Sequence, residues 1–444
     1  MTIVTEISEI LKSSKHLSEL EAKIISLMRE ATRSILSERL ESLDKELIQA
    51  YLTEGWEIDR IEEQQLTFSF GAVSFKRHRL RKSGEKSFLP LDQVLGLEKR
   101  ERFSPGFKEK ISELATGMTF RKASECLEPL TDISMSHQTV HKITQRVAEK
   151  ISQSYINDCQ KLRKPKVLSI EADGVWIGSQ EKHKHLEFKR GFIHEGVERK
   201  GKLGRLINPV YFGTFGTSQD LFQTIAAYLS EHYDLRETLI IANSDGGSGY
   251  ESSKFEAVLG RYEYCLDAYH VMRQITGKLG FNKTLQAAVR QAVKAYDFDE
   301  VKVLLDSAES LLEDEKQLER VISLRAYLER QWEAIKPLSQ RSLSVTSGVG
   351  VCESGHRYYT NRMKRQGRNW LKRGAENMAL LLTAVRNKDF KDRYHQSHPE
   401  TAFSPAVKIL MRQILKKGEH QPHSHSTSLY SFKWCCYKHT NWTT

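Results

Sequence analysis

The sequence predicts an α/β fold whose main domain is a mixed β-sheet with helices on its faces. Between residues 167 and 266, apolar runs of strand length alternate with segments of helical periodicity. A long stretch of helical periodicity follows and predicts an all-helical insertion over residues 276–340. With 444 residues, the chain is long enough for roughly two to four folded units.

The first hundred residues predict helices followed by a small β unit. Residues 1–60 show helical spacing, which is typical of a packed cap, an oligomerisation element or a contact to DNA ends. Residues 61–100 change to a period of two and predict a hairpin that turns at 71–72. Its second strand is basic, so Arg77 and Arg79 are candidates for phosphate contacts. A charged edge strand protected against pairing is the alternative.

Residues 101–160 predict three short helices separated by turns. Thr119 and Ser136 stand where N-caps belong. The second helix, its turn and the third helix fit a helix-turn-helix-like DNA-binding region, in which Gln138 and His141 point toward DNA. A plain three-helix bundle fits the same pattern.

The order of elements after residue 160 is that of an RNase H-like catalytic core: three strands, helix, strand, helix, strand. This core comprises residues 161–275 and 341–390, on either side of the insertion. Residues 391–444 form a C-terminal tail that we expect to be poorly ordered, because no helical period survives there. The histidines and cysteines of the tail lack the spacing of a zinc site.

Composition favours a polyanion as partner. Lys and Arg outnumber Asp and Glu by 68 to 57, which gives a formal charge of +11. The six cysteines form no C-x-x-C pair and no disulfide framework, so we expect a reducing compartment. The N-terminus does not fit a signal peptide, and no window has the roughly 18 consecutive apolar residues of a membrane helix. A membrane partner is therefore not expected.

Two aspartates stand where apolar strand runs end. Asp173 closes the run 167–173, and Asp245 closes the run 238–245 just before two glycines. Such positions are poor for packing and suitable for metal ligands. Phosphodiester cleavage and strand transfer use two divalent ions about 4 Å apart, and Mg²⁺ prefers carboxylate oxygens. The pair therefore indicates a metal site, although either Asp-Gly alone also fits a turn.

Three further features of the sequence fit either a functional role or a purely structural one. Asp267 and His270 have Asp-x-x-His spacing, which also fits a helix-capping aspartate beside a histidine. Glu353 opens a segment dense in Arg and Lys, but it also fits an ion pair with Arg357 one helical turn later. Trp370 fits either a core side chain or a platform for a DNA base.

The order and spacing of these motifs resemble those of bacterial insertion-sequence transposases of the DDE class, specifically the ISLre-type, which is related to the Mutator-like transposases. The likeness covers residues 60–390. The motifs that carry it are Phe70-Gly71-Ala72-Val73, Pro90-Leu91-Asp92, Asp267-Ala268-Tyr269-His270, Glu353-Ser354-Gly355-His356 and the basic segment from Arg362 to Trp370.

The resemblance implies that Asp173, Asp245 and Glu353 form the catalytic triad and bind two Mg²⁺ (or Mn²⁺) ions. Asp267 and His270 would be accessory residues. Further residues would contact DNA, namely Arg362, Lys364, Arg365, Arg368 and Trp370.

The implied activity is metal-dependent strand cleavage at transposon ends, followed by transfer of the 3′-hydroxyl into target DNA. The implied partners are the terminal inverted repeats, the target DNA and further copies of the chain, as a homodimer or a higher multimer on DNA. The implied location is the bacterial cytoplasm, at the nucleoid. Two alternatives remain open: a DNA-binding regulator derived from a transposase, and a structure-specific nuclease with an RNase H fold.

Overall fold

The structure is a computed structural model, and it divides the chain into two compact units. The described residues are 3–154, 161–182, 184–200, 203–341, 343, 352–365 and 367–397. The first unit contains residues up to 108 and 125–135, and the second contains 109–124 and 136–398. Helices α4 (Pro105–Gly117) and α5 (Phe120–Thr131) each contribute to both units.

The first unit is a long helix packed on a β-hairpin. Its elements before α4 are α1 (Ile3–Ser13), α2 (Leu17–Thr53), β1 (Glu57–Phe68), β2 (Gly71–Arg81) and α3 (Pro90–Leu95). Leu40, Leu43 and Leu47 share one face of α2, as the helical period requires, and pack with Val73 and Phe75 of β2. The strands pair antiparallel, which confirms the predicted hairpin.

The turn of this hairpin differs from the prediction. It consists of residues 69–70 rather than 71–72. Gly71 follows the turn with a φ of +129°, a conformation that side chains rarely adopt, and a Cβ there would lie 2.9 Å from the Arg33 side chain. The glycine is therefore required at the first residue of β2, directly after the turn, and not within the turn itself.

The helix starts predicted between residues 101 and 160 are confirmed. The Thr119 hydroxyl accepts a hydrogen bond from the Lys122 amide (3.0 Å), at the start of α5. The Ser136 hydroxyl accepts one from the Thr139 amide (3.2 Å), at the start of α6 (His137–Ile151). These bonds satisfy amides that have no partner inside the helix.

The second unit is built on a mixed sheet. Its main strands are β3 (Val167–Ser179), β4 (His185–His194), β7 (Val210–Thr214), β8 (Leu239–Ser244) and β9 (Glu263–Leu266). Their order across the sheet is β7-β4-β3-β8-β9, with β3, β8 and β9 parallel and β4 antiparallel to both of its neighbours. Helices α7 (Ser218–His232) and α8 (Ser252–Leu259) lie between strands in the predicted order. The mixed α/β architecture is thereby confirmed.

A second small hairpin was not predicted. Strands β5 (Val197–Lys200) and β6 (Leu203–Leu206) pair only with each other. Each has four residues and a largely polar sequence, so neither carries the apolar alternation that marks a half-buried strand.

Strand β3 continues beyond the apolar run that Asp173 closes, so Asp173 lies in the middle of the strand and not at its end. Pairing with β8 stops at Ala172, but pairing with β4 continues to Gly178. The short strand β10 (Asn369–Trp370) then pairs parallel with Gly178 and Ser179. Pairing with β4 and β10 keeps residues 174–179 extended beyond the point where the parallel partner β8 ends.

The two faces of the sheet have different covers. On one face, Leu168, Ile170 and Ala172 pack with Phe222 and Ile225 of α7. On the other face, apolar residues of β3 and β4 pack with helices α13 (Cys352–Met363) and α14 (Lys372–Asn387). Asp173 belongs to this second face, because alternate strand residues point the same way.

Helices occupy the chain from residue 268 to 335. They are α9 (Ala268–Lys278), α10 (Lys283–Ala295), α11 (Phe298–Leu311) and α12 (Glu315–Ile335). They share a core of their own, in which Val271 of α9 packs with residues such as Val289, Leu305 and Leu324. After α14 comes α15 (Phe390–Ser397). The predicted tail lies outside the described residues beyond position 397.

No helix in the described part of the chain is long and apolar enough to cross a membrane. The longest helix, α2, carries charged residues along much of its length. The sequence expectation of no membrane helix agrees with this finding.

Trp370 lies in the core of the second unit. The residue is 8% exposed, and its indole Nε1 donates to the Met363 carbonyl at 2.8 Å. The Arg362 guanidinium stacks on the ring with its carbon 5.2 Å from the centroid. Of the two interpretations of Trp370, the structure favours the core side chain over the DNA platform.

We expect Trp370→Phe to lower the free energy of unfolding by about 1 kcal/mol, because it removes the indole N–H donor while keeping most apolar contact. Trp370→Ala leaves a cavity and should lower it by about 3–5 kcal/mol. Denaturant unfolding followed by circular dichroism measures both. Wild-type stability of both variants together with weakened DNA binding would instead assign Trp370 to a DNA contact.

Candidate active site

Three aspartates form a row across the three parallel strands. Ala172, Ser244 and Leu266 are aligned by the β3–β8 and β8–β9 pairing. The next residue on each segment is an aspartate: Asp173 within β3, Asp245 directly after β8 and Asp267 directly after β9. Because aligned residues of neighbouring strands point to the same face, the three acids share one level and one side of the sheet.

The Asp173 carboxylate is buried and held on both oxygens. Its Oδ1 accepts from the Gly174 amide at 2.6 Å, and its Oδ2 lies 2.6 Å from His356 Nε2. His270 Nε2 is 3.9 Å from the same Oδ2. Asp173 is 6% exposed, so these contacts replace most of its hydration.

Arg190 fixes the orientation of His356. This arginine is the partner of Asp173 across the β3–β4 ladder, and its Nη1 is 2.8 Å from His356 Nδ1. A guanidinium has only donors, so Nδ1 accepts and Nε2 carries the proton that His356 donates to Asp173. The buried chain Arg190–His356–Asp173 therefore links β4, α13 and β3.

Helix α13 approaches the sheet at a glycine. A Cβ on Gly355 would lie 2.6 Å from Arg190 Nη2, which is too close for any side chain unless the arginine moves. Arg190 is 1% exposed and its guanidinium packs on Tyr359. The absence of a side chain at position 355 thus allows His356 to reach Asp173.

Asp245 is placed by the glycine turn that follows it. Gly246 has a φ of +68°, and the Gly247 amide donates to Asp245 Oδ1 at 2.9 Å. Burial raises the pKa of Asp245, and the charge of Asp173 raises it further. The two carboxylates therefore repel each other in a site with little water.

The capping interpretation of Asp267 is confirmed, and its accessory role stays a prediction. Its carboxylate accepts from the Tyr269 amide at 2.8 Å and so caps α9. It also belongs to the aspartate row, and it is 3% exposed. Burial raises its pKa, with the charges of Glu171 and Asp173 acting in the same direction and His270 opposing them.

Two residues contacting this site escaped the sequence-based prediction. Arg190 alternates with Phe188 and Phe192 on the buried face of β4, and this period-two spacing is the sequence signal that could have identified it. Tyr250 donates its hydroxyl to Glu187 Oε1 at 3.2 Å, and burial together with the negative charges of Glu187, Asp173 and Asp245 raises its pKa. Neither contact is visible in sequence spacing.

A second row of polar residues lies two positions before the aspartates on β3 and β8. Glu171 is fully buried, and its Oε1 is 3.5 Å from His194 Nε2 on β4. Asn243 donates to the Cys265 carbonyl at 3.0 Å. Glu171 is paired with Asn243 and not with an aspartate, so it is not a member of the aspartate row.

The aspartates offer the donors that a hard divalent cation prefers. Asp173 and Asp245 present carboxylate oxygens whose charges disfavour each other without a cation. Within the described residues, no three His, Cys, Asp or Glu side chains already have the arrangement of a metal site. Glu353 lies in the first turn of α13, but its side chain is outside the described part. The donor chemistry fits Mg²⁺ or Mn²⁺.

Three arginines predicted to contact DNA are engaged inside the protein. Arg77 is 7% exposed and forms an ion pair with Asp92. Arg79 Nε is 2.7 Å from Glu62 Oε1, and this pairing raises the pKa of Arg79. Arg362 is 5% exposed, and its Nε donates to the Ala115 carbonyl at 2.8 Å. Arg77 and Arg79 thus pair with carboxylates and Arg362 packs inside the second unit, so none of the three extends freely into solvent; their roles toward DNA stay predictions.

Other predicted DNA contacts remain accessible. Gln138 and His141 are exposed on α6, and Lys364 and Arg365 are exposed after α13. Arg368 is half-buried and donates to the Asn361 carbonyl at 3.0 Å. Their roles toward DNA stay predictions.

Comparison with known proteins gives a family match over residues 10–394, to the family described as "Uncharacterised protein family (UPF0236)". A UPF0236 protein from Streptococcus gallolyticus, named for its place in the vanSb 3′ region, is 67% identical over 426 residues. That alignment covers 95% of each chain.

More distant relatives occur in Caldanaerobacter subterraneus subsp. tengcongensis. One UPF0236 protein is 25% identical over 391 residues, which is 85% of this chain and 80% of the relative, and its name joins eleven locus designations. Another is 23% identical over 393 residues, 87% of this chain and 81% of the relative, and its name joins four.

The raised pKa of Asp245 predicts that Asp245→Asn stabilises the protein at pH 7. A raised folded pKa means that the native state binds more protons, so this group's contribution to stability falls as pH rises above the ordinary aspartate range. The gain should shrink on acidification toward pH 4. Thermal unfolding at several pH values measures it.

Asp234→Asn is the matched control, for which we expect a change in stability of the opposite sign. Hydrogen bonds from Arg236 and Lys164 hold the pKa of Asp234 well below its usual range. Its contribution is present at neutral pH and is lost as pH falls. Asp234→Asn should therefore destabilise at pH 7. A destabilising effect of Asp245→Asn at pH 7 would contradict the assigned electrostatics.

Proposed function

We propose that this chain, which belongs to the UPF0236 family, is a DNA transposase of the DDE class that cleaves strands at transposon ends and transfers the 3′-hydroxyl into target DNA. The observation that carries the proposal is the aspartate row across the three parallel strands, with α13 docked on it. Asp173 and Asp245 are its catalytic acids, and Glu353 at the start of α13 is the third.

The sheet supports an RNase H-like core. Taken in chain order, the five main strands lie in the spatial order third, second, first, fourth, fifth, and the second is antiparallel to its neighbours. The helices between β9 and α13 stand where the resemblance puts an insertion. A fold alone does not define an activity, so the proposal depends on the acids rather than on the sheet.

Position within α13 supports the role of Glu353. It precedes His356 by three residues, and this spacing puts two residues on one face of a helix. His356 contacts Asp173, so that face of α13 is the one turned to the aspartate row. Arg357 lies four residues after Glu353 on the same side of the helix, so the ion pair with Arg357 stays the alternative that mutation of Glu353 tests.

Asp173, Asp245 and Glu353 would hold two divalent ions, which supply charge stabilisation for the attacking and leaving oxygens of the phosphodiester. The chain's own residues prepare these ligands. The Arg190–His356 pair and the Gly174 amide hold Asp173, while the Gly247 amide holds Asp245. Rigid positioning of this kind reduces the reorganisation needed during reaction.

The relatives offer independent support. One name that covers eleven loci of a single organism is what an element that copies itself around a genome would leave. A second relative's name covers four loci. A structure-specific repair nuclease gives no reason for such multiplicity.

DNA recognition is assigned to two places. Helix α6 presents Gln138 and His141, as the third helix of a helix-turn-helix-like region would. Lys364 and Arg365 add positive charge after α13. Joining two ends requires at least two copies of the chain, and we place this action on nucleoid DNA in the bacterial cytoplasm.

Asp173→Asn, Asp245→Asn and Glu353→Gln should each reduce strand cleavage and transfer by roughly a thousandfold or more, because each removes charge that binds the metal. DNA binding, measured by gel shift, should stay within a few-fold of wild type. The substrate is an oligonucleotide duplex with the terminal sequence of the element, supplied with Mg²⁺ or Mn²⁺.

Asp392→Asn is the control, because Asp392 is an exposed aspartate on α15 away from the row. Wild-type strand transfer by either Asp173→Asn or Asp245→Asn would refute the proposal. Cleavage of branched DNA without terminal repeats would favour the structure-specific nuclease. Binding without any cleavage by the wild type would favour the regulator.

Mg²⁺ should raise the unfolding temperature of the wild type, because a ligand that binds only the native state stabilises it. The rise should be largely lost in Asp245→Asn and kept in Asp392→Asn. Thermal unfolding with Mg²⁺ titrated at constant ionic strength checks this. An equal rise in all three proteins would indicate nonspecific binding elsewhere.

A further inference from the structure

A basic cleft lies in the second unit on the C-terminal side of α13. It has a volume of about 670 Å³. The residues that matter for its chemistry are Thr119, Lys122, Asn361, Arg362, Arg365 and Arg368. They come from the start of α5 and from the end of α13 with the segment directly after it, so two separate stretches of chain converge on one space.

The charge of this cleft is one-sided. Four lining side chains are cationic, and no described lining residue is an aspartate or glutamate. Burial and the neighbouring charge of Arg368 lower the pKa of Arg362 to about 10. The positive charges of Arg362 and Arg368 therefore oppose each other, and an anion bound beside them would relieve that repulsion.

Arg362 is held in place with unused hydrogen-bonding capacity. Its guanidinium carbon lies 4.8 Å from the Phe120 ring centroid and 5.2 Å from that of Trp370. Its Nε donates to the Ala115 carbonyl, but its buried Nη2 has no hydrogen-bond partner among the described residues. A buried donor without a partner is uncommon in folded proteins, and it points to a ligand.

The N-terminus of α5 adds further positive potential to this cleft. This helix has 12 residues, and Thr119 caps it through the Lys122 amide. Helix N-termini carry partial positive charge and amides without partners inside the helix, a combination suited to phosphate. The helix end and the guanidiniums therefore favour the same kind of ligand.

We propose that this cleft binds one phosphate group. Arg362, Arg365, Arg368 and Lys122 supply the charge, and the guanidiniums supply paired N–H donors that match phosphate oxygens. The site is separate from the aspartate row, and it needs neither a divalent metal nor cleavage. It therefore does not rest on the transposase proposal. The phosphate can come from a DNA backbone, from a DNA 5′ end or from free phosphate in solution.

The test is calorimetric titration of the full chain with inorganic phosphate, in metal-free buffer at constant ionic strength set with chloride. We expect saturable binding by the wild type. The double variant Lys122→Gln/Arg365→Gln should bind about tenfold more weakly or worse, because it removes two charged donors from the cleft. These two side chains are exposed, so the variant should fold, and circular dichroism verifies this.

Arg357→Gln is the matched control. Arg357 is exposed on the same helix, α13, but does not line the cleft. It should bind phosphate as the wild type does. Phosphate binding that is no stronger than chloride binding, or equal affinity in the double variant and the wild type, would overturn the proposal.

Competition distinguishes the sources of the phosphate. A dinucleotide with a 5′-phosphate and one without it are titrated against bound inorganic phosphate. Displacement by both supports a site for a backbone phosphodiester, and displacement by the 5′-phosphorylated form alone supports a site for a DNA end. Displacement by neither would limit the site to free phosphate, and a DNA role would then be excluded.

Discussion

A buried carboxylate in the middle of a central strand is the constraint on which the second unit depends. Asp173 lies between β4 and β8, away from either end of its strand. Removing a carboxylate from water is costly unless donors replace the lost hydration. The donors are the Gly174 amide and His356, the latter oriented by Arg190. Meeting this need draws β4 and α13 against β3, so the electrostatics of one residue and the packing of the sheet cannot be separated.

Helix α13 connects the two charged sites of this unit. Near its start, His356 contacts the aspartate row, and near its end, Arg362 lines the basic cleft. Six residues separate them, which is roughly 9 Å along a helix axis. A single rigid element thus fixes the distance between a negative site suited to metal ions and a positive site suited to phosphate. The two sites have opposite charge, and one helix positions both of them.

The sequence predicted the elements well where periodicity was strong. The strands and helices of the main sheet follow the predicted order, and α5 and α6 begin at the predicted caps Thr119 and Ser136, because apolar runs and capping residues act locally. Asp173 and Asp245 were identifiable for the same reason, since each closes an apolar run. The pairing of the end of β3 with β10 was not predicted, because β10 lies about 190 residues later in the chain.

The contacts of long side chains were the least predictable. Arg77 and Arg79 look like phosphate contacts in the sequence, yet one pairs with Asp92 and the other with Glu62. A basic segment has the same composition whether its charges face solvent or the interior. His356 was visible within a motif, but its contact with Asp173 joins residues 183 positions apart. Tertiary packing decides such cases, and local spacing does not encode it.

Gly355 has a consequence for judging which sequences of this family keep the same arrangement. A Cβ at this position would lie 2.6 Å from Nη2 of the buried Arg190, so a larger residue requires the arginine or α13 to move. A one-nucleotide substitution in a glycine codon is enough to produce such a residue. A relative can therefore keep every acidic residue of the row and still lose the contact between His356 and Asp173. Position 355 should be inspected together with the acids.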